Sequence, residues 1–89
     1  MVRGEYRYVL YSDKMVEIAH TNGSLGDAKK LAASFFMGGK SKSPVIWIWK
    51  EYPRHELLGT VEIEPDGICY TSHRTYKSEV IVSRKKRRV

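Results

Sequence analysis

A single cysteine, Cys69, leaves an intrachain disulfide no second partner. Secreted domains this small more often carry several cysteines, so a reducing compartment is expected. No apolar stretch follows Met1-Val2-Arg3-Gly4-Glu5, which argues against a secretory leader. The longest near-continuous apolar run, Val45–Trp49, is far too short to span a bilayer. No internal repeat and no interior linker break up the chain. These absences describe a cytoplasmic protein without a membrane segment; in a eukaryotic source the basic C-terminus would also suit nuclear import.

What is present is enough for one small domain. The 89 residues are 42% apolar and 11% aromatic, which argues against disorder. Candidate core residues are Leu10, Leu31, Phe35, Phe36, Ile46, Ile48, Val61, Ile63, Ile68, Val80 and Val82. The formal net charge of +6 comes from 16 Lys+Arg against 10 Asp+Glu, and residues 84–88 hold five of the cations in a row. Without them the rest of the chain is nearly neutral. The basicity is therefore mostly that of a tail, and it reports a polyanionic partner without naming it.

Local signals divide residues 1–83 into strands around one helix, with 84–89 as a basic tail. Glu5–Tyr11 is aromatic and β-branched, hence a strand, and Met15–Ala19 is a short second one. Asn22-Gly23 is a stop signal. Ser24 opens a helix: Ser24 and Asp27 have capping-box spacing, and Asp27 suits the positive end of the helix dipole. Leu25, Ala28, Leu31, Ala32, Phe35 and Phe36 form its apolar face, with Lys29 and Lys30 off that face in solvent. Gly38-Gly39 is expected to end the helix in a left-handed conformation. Strands follow at 45–50, 57–64, 68–73 and 79–83, and Pro65-Asp66-Gly67 makes the turn of the best hairpin. The fold class is α+β: a single small domain with an antiparallel sheet and one helix packed on one face, in short form β-β-α-β-β-β.

Catalytic and metal signals are weak, and the chain reads as a non-enzyme with no cofactor and no metal. Cys69 and His73 share a strand face, but four residues separate them by roughly 13 Å, too far for one zinc. His20 and His55 fall in expected loops with no motif around them. A lone strand cysteine is more often a small core residue than a nucleophile. Gly23-Ser24-Leu25-Gly26 beside Lys29-Lys30 has neither GxGxxG nor P-loop spacing, and a helix cap explains it better.

The leading functional expectation is a nucleic-acid-binding module, DNA or RNA. Arg84, Lys85, Lys86, Arg87 and Arg88 would contact phosphates, with Lys40 and Lys42 extending them if their loop lies near. Five such contacts give a salt slope of roughly −4 to −4.5. The alternative partner is an acidic protein surface or another protein, and the module an inhibitor or adaptor. Tyr6 and Tyr8 would share one strand face and Trp47 and Trp49 another, supplying an exposed aromatic patch. Ile46 and Ile48 are better shaped to meet the helix, which would put both tryptophans on the helix-free face. If Glu62 and Glu64 share that face, they would repel phosphate there. Edge-strand pairing into a homodimer is a third expectation.

Overall fold

A computed structural model describes residues 6–38, 44–52 and 54–83. The elements are β1 (Tyr6–Tyr11), β2 (Glu17–Gly23), α1 (Leu25–Met37), β3 (Val45–Tyr52), β4 (Glu56–Glu64), β5 (Gly67–Ser72) and β6 (Ser78–Ser83). The strands form one antiparallel sheet in the order β2-β1-β3-β4-β5-β6. The α+β class and the helix packed on the sheet are as expected. Four strands follow the helix, so the short form β-β-α-β-β-β undercounts that meander by one.

The helix starts as its sequence predicts. The Ser24 hydroxyl accepts from the Asp27 amide and the Asp27 carboxylate accepts from the Ser24 amide, both at 3.2 Å, so two orphan first-turn donors are satisfied. Ser24→Ala is expected to cost about 1 kcal/mol, measured by chemical denaturation. The helix also ends at Gly38 as expected, but without the expected left-handed conformation there, and Gly39 lies outside the described residues. Gly38 caps the helix with φ −85°, an ordinary right-handed conformation, and its amide bonds back to Ser34.

Packing on the sheet rests on small residues. Ala28 and Ala32 have no exposed surface, and a helix face of alanines lets its backbone approach the strands closely. Leu25, Leu31, Phe35 and Phe36 flank that contact as partly buried residues. The helix touches all six strands. Beneath it lie Leu10, Ile46, Ile48 and Val61, all fully buried, with Ile68. Two expected core residues, Ile63 and Val80, are about half exposed at 48% and 49%. In their place the core takes two aromatics, Tyr8 and Tyr70, the latter anchored by its hydroxyl donating to the Leu58 carbonyl at 3.0 Å.

Burial pushes the phenols of Tyr8 and Tyr70 up from their ordinary 10.0. It pushes the Cys69 thiol up from its ordinary 9.0, helped by the carboxylates of Glu64, Asp66 and Glu62. All three groups hold their protons longer in the folded state than in the unfolded one. Their contribution to stability is therefore complete below those ordinary values and lost as the pH climbs through the raised ones. Urea melts are expected to give a lower midpoint at pH about 10.5 than at pH about 8; an unchanged midpoint would contradict this assignment.

Candidate nucleic-acid interface

Strand pairing decides where each candidate side chain goes, because residues opposite one another share a sheet face. Leu10 lies opposite Ile48 and Tyr8 opposite Lys50, all on the helix side. Val9 lies opposite Trp49 and Tyr11 opposite Trp47, on the helix-free side. The tryptophans therefore take the face that the two isoleucines imply. The tyrosine pair takes the other, so Tyr6, Tyr8, Trp47 and Trp49 do not make one patch. Tyr8 is a core residue against which Tyr6 sets its ring edge-on, the centroids 6.4 Å apart.

Nor do the tryptophans stand free on their side. Both are partly buried. Trp49 is covered by the His55 imidazole, stacked with a 4.4 Å centroid separation, and both indole N–H groups are shielded without an acceptor among the described residues. The surroundings are acidic. Glu51 accepts from Arg7 and Tyr11, and Glu62 lies opposite Val45, two residues along the same strand face from Trp47. Carboxylates on this face repel a phosphate backbone, as the sequence reading anticipates for Glu62.

The opposite side has a different character. Lys29 is not in solvent as its off-face position suggests: its side chain is only 21% exposed. Its ammonium lies 4.3 Å above the Tyr70 ring and 2.7 Å from the Glu79 carboxylate, which ties α1 to β6. Two hollows share Lys29 as a wall. One, of about 370 Å³, extends to Ser72, Thr75 and Lys77; the other, of about 230 Å³, lies between Lys30, Ala33 and the strand residues Ile81 and Val82. Both lie between α1 and the edge strand β6, the first by the β5–β6 turn and the second nearer Ser83, and the Glu79 carboxylate lines the first. Lys30 and Lys77 have no ion-pair partner among the described residues.

That turn is stiffly built. Ser72 accepts from Tyr76 through its carbonyl at 2.8 Å, and its hydroxyl accepts from the amides of Arg74 and Thr75. The Thr75 hydroxyl accepts from the Lys77 amide. Tyr76 is left 74% exposed at φ 60°, with its ring edge-on to His73 at 5.8 Å. Sequence reasoning passed over this group because Arg74–Ser78 reads only as a turn.

The tail cations Arg84, Lys85, Lys86, Arg87 and Arg88, and the loop cations Lys40 and Lys42, lie outside the described residues; the strand before the tail ends at Ser83. His20, expected in a loop, is in β2 with its Nδ1 3.4 Å from Glu17. No group of three or more metal-ligating side chains occurs among the described residues, and no helix there is long and apolar enough to cross a membrane. Cys69 is buried with its thiol pushed up, the reverse of what a thiolate nucleophile needs. Comparison with models of known protein families, with curated proteins and with solved structures finds no match to this chain.

Proposed function

We propose that this protein is a non-enzymatic nucleic-acid-binding module whose affinity comes from phosphate contacts along its basic edge. The observation that carries the reading is continuity of charge. The α1–β6 hollows carry two cations without an ion-pair partner among the described residues, Lys30 and Lys77, while Lys29 is held by Glu79, and they border the strand whose last residue, Ser83, leads directly into five consecutive cations. Such cations displace counterions from a phosphate backbone, and the gain is independent of base sequence. Lys40 and Lys42 are assigned a supporting role. The covered tryptophans, and the tyrosine pair on the opposite face, weigh against the aromatic protein-binding face as the main surface.

The test is binding of the full chain, and of a chain ending at Ser83, to single-stranded and duplex nucleic acid over a salt series. Steep salt dependence in the full chain, lost on truncation, supports the reading. No binding by either chain near physiological salt removes it.

A further inference from the structure

We propose that the exposed Tyr76 ring, on the turn whose Thr75 and Lys77 line the larger hollow, is a base-stacking platform, and that the ligand is therefore single-stranded. This rests on the nucleic-acid reading above and specifies its ligand. Three observations carry it. The first is the ring itself: Tyr76 is the most exposed large apolar side chain among the described residues, at 74%, and sits on a turn pinned by Ser72 and Thr75. Tyr76, like Met15 in the β1–β2 turn, is a non-glycine residue at positive φ, 60°, and its turn holds it there through the Ser72 and Thr75 hydrogen bonds. The second is its company. His73 braces one ring edge, and Lys77 follows Tyr76 directly while lining the larger hollow. An aromatic with adjacent cations is the arrangement that holds a base by its π-face and the next phosphate by charge.

The third is the path. From Ser78 to Ser83 the strand spans roughly 17 Å, enough for about five nucleotides at ~3.4 Å per stacked base. Lys77 stands at one end, Lys30 stands on the helix wall, and the tail follows Ser83; Lys29 is already held by Glu79, whose carboxylate lines the larger hollow. A duplex keeps its bases paired and stacked, so Tyr76 has nothing to add to duplex binding. An unpaired strand presents a free base face at every step.

The experiment compares a fluorescent oligothymidine of about 20 nucleotides with a duplex of equal length, near physiological salt, using the full chain throughout. Tyr76→Gly removes the ring and suits the backbone; Tyr76→Phe keeps the stacking surface. The expected result is single-strand affinity reduced about 10- to 100-fold in Tyr76→Gly, near-normal affinity in Tyr76→Phe, and unchanged duplex affinity in both. Lys30→Gln and Lys77→Gln are each expected to reduce the single-strand salt slope by about 0.7. Equal losses on both ligands, or no loss in Tyr76→Gly while the wild-type chain binds through its tail, would overturn the platform and leave the broader reading standing. Failure of the wild-type chain to bind either ligand would overturn both.

Discussion

A chain ending at Ser83 is expected to lose most of its affinity for nucleic acid and most of its salt dependence. Each phosphate neutralised on a duplex contributes about −0.9 to the log–log salt slope, and about −0.7 on a single strand. Five tail cations therefore give about −4.5 and about −3.5 respectively. Between about 50 and about 200 mM salt, the tail's share of binding falls by about 500-fold on duplex and about 130-fold on single strands. Lys30 and Lys77 remain in the shortened chain and leave a slope of about −1.4 on single strands, to which Lys40 and Lys42 would add. Base composition is expected to matter little to the tail's contribution, since phosphate contacts position a protein without reading sequence. Fluorescence anisotropy on both chains measures all of this directly. A full chain with a slope near zero would show that the tail touches no phosphates, and the search would move to a protein ligand.

Gly59→Ala is expected to be the most damaging small substitution in the fold. Gly59 lies in β4 opposite Ile48 on one side and Ser72 on the other. A methyl group there would press on the Thr71 carbonyl oxygen and come within 2.6 Å of Tyr70 Cζ and Oη. The Tyr70 ring thus lies directly on the glycine backbone, and its hydroxyl is fixed by the neighbouring Leu58 carbonyl. One obstacle is strand backbone and the other a ring held at its far end, so neither yields cheaply. The expected loss is about 3 kcal/mol or more, which lowers the melting temperature of a domain this size by more than about 12 °C. Tyr70→Ala removes the ring but not the carbonyl, so the double variant is expected to be less unstable than the two single losses added together. A Gly59→Ala protein within about 0.5 kcal/mol of wild type would mean that ring and strand do not approach this closely.

The two effects report on different parts of the molecule. Truncation leaves the sheet and helix intact and reads charge alone. Gly59→Ala acts on the β4–β5 ladder that carries Tyr70, a wall of the larger hollow, and it is expected to weaken binding only as far as it unfolds the domain.

Much of this protein is legible in its sequence because the relevant forces act over a few residues. The Ser24/Asp27 cap, the 25–37 helix and the 64–67 turn each follow from side chains within four positions of one another. The alternation of Ile46 and Ile48 with Trp47 and Trp49 divides β3 between two faces without reference to any other strand. The run of cations at 84–88 needs no fold to be recognised. Pairing between distant strands decided the rest. The opposition of Tyr8 to Lys50 puts the tyrosines on the helix side, away from the tryptophans. Alanines at the helix contact leave Lys29 close enough to reach Tyr70 and Glu79, two strands that a helical period alone cannot locate. The two hollows exist only because β6 lies at the sheet edge beside α1, more than forty residues along the chain. Periodicity and charge are local properties written directly in the order of residues, whereas register, edges and grooves come from a balance of packing over the whole domain.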